Sequence, residues 1–498
     1  MNRILKNTSS NVIVLVIRLA ITFVMTPIIV AALGNYDYGI WEMIISVVGY
    51  MGMLDLGLRP AVLRFAARYH AQNDRQQMEI LFSTTGAFML LVGVICASAV
   101  VAVALLNPGL IAEDGQATER YGLFMLIIAL QVAFEFPGQV AESFLEGFQY
   151  YQLRNRIVLT ITVISAVILY FYLTPENGLI LLALVTVIGT VLKYLIFFVL
   201  LHTRRFNLRF QFSRCSIGYL KEIMGFGFKS FVQGAATRIE SGSDIIIIGA
   251  VLNPAVVVFY AIPAALIKHV RNLAWTLTHA MMPVFSDLHA RGDLQTTQKL
   301  MLTGSKAVIA LLLPMAIGLS FIGDDFIGLW MGAEYGQQAT WVILWLLAFY
   351  LLPFINPFSS RYLTAIGEHA VFAKLAPMVA AANILLSLVF VRYWGIEGVA
   401  AASLIPTLLV TPVYLSVTCR HLGISVTDYL NRAIMPLLLP NLVMGLVLWV
   451  LPGYIVITNY LSLLIHVIAG AIAYSIALLM LGISTSERQI ILNKLRPS

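Results

Sequence analysis

Fourteen apolar stretches alternate with short polar connections along the 498 residues of the chain. They occupy 11–33, 37–58, 81–106, 121–146, 156–174, 178–202, 223–251, 255–283, 300–323, 337–360, 370–391, 395–418, 433–451 and 459–482. Each is long enough for a helix to cross a hydrocarbon core of about 30 Å. Strand-like alternation is absent, which argues against an outer-membrane barrel. The seventh stretch is the weakest: Met224 to Gly242 is polar, and only Ile245 to Leu252 is strongly apolar.

Composition agrees with a polytopic helical membrane protein. The chain is 60% hydrophobic and 11% charged, against about 25% charged in a soluble domain. The first apolar run carries Arg18 and is too long for a signal-peptide core, so it reads as a retained span. The net charge of +7 reflects topology, and no nucleic-acid partner is expected. With the N-terminus inside, 21 of the 31 Lys and Arg residues fall in cytoplasmic segments, and only Arg120 and Arg392 fall outside. Cytoplasmic loops carry such an excess. Dropping the seventh span would invert all that follows and destroy the asymmetry. The expectation is therefore a membrane protein with fourteen spans and both termini cytoplasmic.

The loops after spans 2 and 8 resemble each other. At an offset of 223, Pro60 meets Pro283, Ala67 meets Ala290, Arg68 meets Arg291 and Gln72 meets Gln295. Gly147 and Gly367 form an echo after spans 4 and 10. A six-span unit repeated in the same orientation follows. The expected division is an N-lobe over 1–210, a C-lobe over 211–422, and spans 13–14 with a tail over 423–498. Two such bundles would enclose a cleft that binds near the midplane and is worked by rocking one half against the other.

Charges inside spans point to that pathway, because each is costly unless it faces protein or water. Span 4 carries Gln131, Glu135, Gln139, Glu142 and Glu146 within about 80° of one helical face. Span 7 aligns Lys229, Gln233, Thr237, Glu240 and Asp244, and span 8 aligns Lys268, Arg271, Trp275 and His279. Arg18 and Thr22 mark span 1, and Tyr38, Glu42 and Ser46 mark span 2. Arg238 falls off its stripe by roughly 140°, and Lys193 stands alone in span 6. Glu146, Lys193 and Arg238 best fit structural ion pairs or snorkelling. The basic residues Arg18, Lys229, Arg238, Lys268 and Arg271 suit a diphosphate, which guanidinium binds in bidentate fashion. The acidic stripe with its glutamines suits sugar hydroxyls, a cation or a proton relay, and charge alone does not choose.

Cys96, Cys215 and Cys419 are too far apart for a metal motif, and no metal or other cofactor is expected. No GxxxxGK[ST] is present, and no soluble segment is large enough for a catalytic domain. The outside loop near 107–120 is too short for a membrane-embedded glycan polymerase or ligase. The chain therefore reads as a transporter rather than an enzyme.

LGNYDYGIW (33–41), LDLGLRPAVLRFAARY (54–69), FLEGFQYYQLRN (144–155) and MPVFSDLHARGD (282–293) resemble segments of the Wzx-type polysaccharide and O-antigen flippases, of the multidrug/oligosaccharidyl-lipid/polysaccharide superfamily. The resemblance implies a V-shaped, two-lobed protein of the bacterial inner membrane with a central cavity. It would move undecaprenyl-diphosphate-linked oligosaccharide, an O-antigen or exopolysaccharide repeat unit, from the cytoplasmic to the periplasmic leaflet. Implied partners are membrane lipid, a polymerase and a chain-length regulator of the same pathway, and H+ or Na+. Arg18 matches a recurring cavity arginine of span 1, and Lys268 and Arg271 match basic residues of the second lobe. The four charges of span 7 depart from the family pattern and make Glu240 and Asp244 the coupling candidates. A cation-coupled multidrug exporter of the same superfamily is the alternative. It would favour an acidic cavity, against which the second-half cations argue.

Overall fold

The computed structural model describes the backbone of residues 2–106, 118–204, 206–279, 281–368 and 370–483; side chains of 2–12, 118, 226–241, 279 and 373 fall outside that description. The described residues are helical, with no strand. In hydrocarbon every backbone N–H and C=O must be satisfied within its own segment, which a helix does. The hydroxyls within spans follow the same rule. Thr26, Thr85, Thr162 and Thr186 each donate to the carbonyl four residues earlier, at 2.7–2.9 Å.

The first compact unit, Met1–Gly242, contains α1 (Asn2–Met51), α2 (Leu58–Gln72), α3 (Arg75–Leu106), α4 (Thr118–Gly147), α5 (Tyr151–Tyr172) and α6 (Gly178–His202). Then comes α7 (Ile217–Val251), along which the chain passes into the second unit, Ser243–Ser498. That unit holds α8 (Pro254–His279), α9 (Met282–Ala290), α10 (Leu294–Met331), α11 (Ala333–Leu351), α12 (Ser359–Ala365), α13 (Ala370–Leu422), α14 (Val426–Tyr429), α15 (Met435–Val450) and α16 (Tyr460–Ala477).

Eleven helical runs among the described residues are long and apolar enough to cross a membrane. Two of them hold two crossings each. α1 is interrupted at Gly34 (φ 71°) and α13 at Gly395 (φ 57°), backbone angles open to glycine at little cost. α7 is 35 residues long and supplies one more, giving the fourteen expected. Its apolar end, Gly242–Val251, is the only part that registers by hydropathy among the described residues.

The loops after spans 2 and 8 also close with matched local geometry, at an offset of 219 rather than the 223 of the sequence echo. α2 ends at Asn73 (φ 53°) and α9 is followed by Gly292 (φ 68°), both left-handed. The next residue in each half, Asp74 or Asp293, accepts a 3.0 Å bond from the backbone N–H three residues on. This caps α3 and α10 alike. Ahead of α2 the LDLGL segment makes a sharp reversal. Leu56 (φ 50°) and Gly57 (φ 77°) are both left-handed, and the Asp55 carboxylate accepts the Gly57 N–H at 2.8 Å.

Candidate functional site

α1, α5 and α6 enclose a cavity of about 410 Å³ in the first unit. Its polar lining is Arg18, Thr22 and Thr26 from α1, Thr162 and Ser165 from α5, and Thr186, Thr190 and Lys193 from α6. The two cations stand at one level. The Gly178 end of α6 lies against Leu33 of α1, and from that contact Arg18 and Lys193 are each fifteen residues along, about 22 Å at the helical rise. Arg18 is exposed and Lys193 half-buried. Among the described residues no carboxylate lines the cavity. Because Thr26, Thr162 and Thr186 donate to their own helices, they offer the cavity acceptor lone pairs. The wall thus combines cationic donors with hydroxyl acceptors.

Of the span 4 carboxylates, Glu146 forms the structural ion pairs expected of it, and Glu142 joins the same cluster. Glu142 is buried and accepts from Arg154 through Nε at 2.7 Å and through a second guanidinium nitrogen. Glu146 lies 3.5 Å from both Arg59 and Arg154. The arginines come from α2 and the first turn of α5, so the end of α4 is tied to its neighbours by a four-residue ion-pair cluster. Glu135 accepts from the Tyr194 hydroxyl at 2.7 Å and from Gln139 at 3.2 Å. Gln131 is buried with its side-chain oxygen unpartnered, and Glu42 lies against Tyr38, one turn earlier.

Gly138 allows Tyr194 to reach Glu135. A Cβ at Gly138 would sit 2.1 Å from the Tyr194 ring, so only a bare backbone lets the ring cross α4 there. The Lys193 ammonium rests 3.8 Å from the centroid of the same ring, an attractive cation–π distance.

In the second unit Asp244 is buried, and one carboxylate oxygen accepts from the hydroxyls of Tyr260 (2.5 Å) and Ser403 (3.2 Å). Asn383 donates to Ser403 at 2.8 Å and lies 3.2 Å from the Ser243 hydroxyl. Among the described residues the other Asp244 oxygen has no partner, nor has the buried Ser387 hydroxyl one turn beyond Asn383. A carboxylate in this setting can bind a proton or a small hard cation. Lys268 is the cation whose field reaches it. Further along α8, the Arg271 guanidinium lies 4.7 Å from the Tyr350 ring centroid.

A separate pocket of about 170 Å³ includes Trp275, Asn356, Ser360, Arg361 and Thr411 in its lining. Arg361 stacks 4.7 Å from the Trp275 ring centroid. Asn356 is 4% exposed, and among the described residues neither of its amide atoms has a partner. An unmet buried amide is costly, and this one is equipped to exchange donor and acceptor bonds with a hydroxyl.

The sequence profile described as "Polysaccharide biosynthesis protein" matches residues 4–289, more than half of the chain. The chain belongs to the polysaccharide biosynthesis protein family. This family member is 23% identical to the uncharacterized membrane protein EpsK of Bacillus subtilis (strain 168), over 98% of this chain and 97% of EpsK. Its fold is that of the lipid II flippase MurJ in an inward closed conformation (TM-score 0.73, 15% identity, 98% of this chain and 100% of MurJ). It is also shared with an inward-facing multidrug resistance MATE transporter (TM-score 0.67, 14% identity, 82% of this chain and 96% of that one).

Within this family member the structure brings Arg18 together with Lys193, which sequence reasoning set aside as isolated. A signal for it existed: Thr186, Thr190 and Lys193 share one face of α6 within about 60°. Asn356 and Arg361 lie in short, irregular elements where helical periodicity has nothing to act on. Lys229, Gln233, Thr237, Arg238, Glu240 and His279 lie outside the described side chains.

Proposed function

We propose that the protein is a flippase for undecaprenyl-diphosphate-linked oligosaccharide, carrying an O-antigen or exopolysaccharide repeat unit from the cytoplasmic to the periplasmic leaflet of the inner membrane. The observation that carries the proposal is the Arg18–Lys193 pair, set at one depth in a hydroxyl-lined cavity with no carboxylate among the described residues of its wall. Two like charges facing one cavity in a span region are expensive even though Glu135 and Glu142 act on Lys193 from outside its wall, and a diphosphate relieves that cost through charge-assisted bonds. The threonine oxygens then accept from sugar hydroxyls, and Lys268 and Arg271 supply basic contacts from the second unit. The lipid tail stays in the bilayer while the two lobes alternate access. The lobes correspond to residues 1–210 and 211–422, with spans 13–14 appended.

Asp244 is the proposed coupling group, binding H+ or Na+ on its unpartnered oxygen; Glu240 is the second candidate. The excess of basic residues in the connecting segments supports cytoplasmic termini. Membership in a polysaccharide biosynthesis family supports the glycan, and the pathway's polymerase and chain-length regulator are the natural partners. Export of cationic drugs is the weaker reading, because Arg18 and Lys193 would repel them.

The test is complementation. In a strain lacking its own flippase for the matching glycan, the wild-type protein restores surface polysaccharide. Arg18→Ala at equal membrane abundance does not. Full export by the variant would remove Arg18 from the substrate path, and with it the observation on which this reading stands.

A further inference from the structure

One face of α3 changes character along its length. Arg75, Glu79, Phe82, Gly86 and Leu90 lie within about 80° of each other on the helix. At its start the face forms a groove of about 690 Å³ with the segment joining α6 to α7, lined by Arg75, Gln76, Glu79, Ile80, Arg209, Gln211 and Arg214. Glu79 is buried and divides its oxygens between two arginines. Oε1 takes Arg75 Nε at 3.1 Å, and Oε2 takes Arg214. Gln211 accepts from Arg214 Nε at 2.7 Å. Two guanidiniums are thereby fixed in orientation while 49% and 36% of their side chains stay exposed. Arg209 adds a third, exposed on the same groove. Three arginines against one glutamate leave the groove cationic.

The same face continues into an apolar slot of about 260 Å³. Phe82, Gly86 and Leu90 form one wall, residues of α4 and α6 the others, and Phe210 closes the end. Arg209 and Gln211 line the groove and Phe210, between them in the chain, lines the slot, so the two spaces flank this segment. Leu90, Phe134 and Leu195 are 40–53% exposed at the slot's margin. It therefore opens toward the surface that meets bilayer lipid. Gly86 makes room for the Phe210 ring, which lies 3.1 Å from where its Cβ would stand.

A free phosphate would use only the groove, and a neutral lipid only the slot. We propose that the first unit binds an anionic phospholipid of the cytoplasmic leaflet, its phosphate among Arg75, Arg209 and Arg214 and one acyl chain in the slot between α3, α4 and α6. The leaflet follows from the orientation set by the basic segments, whereas the site itself is independent of the transported cargo. Guanidinium matches phosphate in bidentate geometry, and an apolar slot favours an alkyl chain over water.

The experiment titrates dioleoylphosphatidylglycerol or dioleoylphosphatidylcholine into the delipidated full-length protein in neutral detergent. Thermal stability and native mass spectrometry are the readouts. Phosphatidylglycerol is expected to raise Tm and remain bound at concentrations where phosphatidylcholine does neither. Arg209→Gln, at an exposed position, should leave the lipid-free Tm unchanged and weaken phosphatidylglycerol binding at least tenfold. Gly86→Leu, which fills the slot, should weaken it with the arginines intact. Equal responses to the two lipids, or full stabilisation by inorganic phosphate alone, overturns the proposal. So does undecaprenyl phosphate binding with no response to phosphatidylglycerol, which would give the site to the transported lipid.

Discussion

Gly138→Ala tests the packing that holds the α4 carboxylate beside the cavity. The added methyl would lie 2.1 Å from Tyr194 Cγ and 2.3 and 2.5 Å from the two Cδ atoms. To reach ordinary contact the ring must retreat by roughly 1.3 Å, since dispersion turns to repulsion well before such separations. Tyr194 is 4% exposed and borders the apolar slot between α3, α4 and α6, so its retreat is bounded by that slot and its walls, and overpacking of this kind costs about 1–3 kcal/mol. The retreat also breaks the 2.7 Å bond to Glu135, a bond to a carboxylate worth about 1.5–3 kcal/mol. The combined destabilisation is about 2.5–6 kcal/mol. The assay is a double-mutant cycle read by denaturant unfolding in detergent: Gly138→Ala, Tyr194→Ala and the pair. Tyr194→Ala removes both the ring that the methyl strikes and the bond to Glu135, so the double variant should be more stable than additivity predicts by about 2.5–6 kcal/mol. Strict additivity would refute the argument, because it would mean that the methyl and the ring never meet.

Three further outcomes are expected. Lys193→Gln should lower the affinity for the diphosphate head group about ten- to hundred-fold, the value of one charge-assisted contact, with Lys193→Arg largely restoring it; export by Lys193→Gln equal to wild type would place Lys193 outside the path. Asp244→Asn should abolish any response of transport in proteoliposomes to an imposed proton or sodium gradient, and an unchanged response would exclude Asp244 as the coupling group. Asn356→Leu discards an amide with no partner among the described residues, so Tm should hold or rise while glycan export falls. A drop in Tm of several degrees would instead expose a structural role.

Much of the architecture was legible because hydrocarbon imposes few solutions. Apolar length gave the spans, and the basic excess of one set of loops required α7 to cross although its hydropathy is weak. The candidate site was legible only in part, because periodicity within a helix says which residues share a face and nothing about what that face meets. The α4 stripe is real, yet Glu142 and Glu146 are engaged by Arg154 and Arg59, which lie beyond the ends of the apolar runs where a helical wheel does not look. The same limit hid Lys193, whose significance comes from standing level with Arg18 on another helix. Asp244 could be noticed as an acid in a span, but its hydroxyl and amide neighbours come from α8 and from both halves of α13, distant in sequence.

The reversal at Asp55, Leu56 and Gly57 bears on how such chains are sorted. Its aspartate is occupied by a backbone N–H, and its leucine holds a left-handed angle that side chains with a Cβ adopt at a cost. The LDLGL string thus encodes a way of turning the chain rather than a way of holding cargo. A relative picked out by that string alone is expected to share the bend ahead of α2; under the function proposed above, differences in cargo should be sought in the pocket walls of α1, α5 and α6 instead.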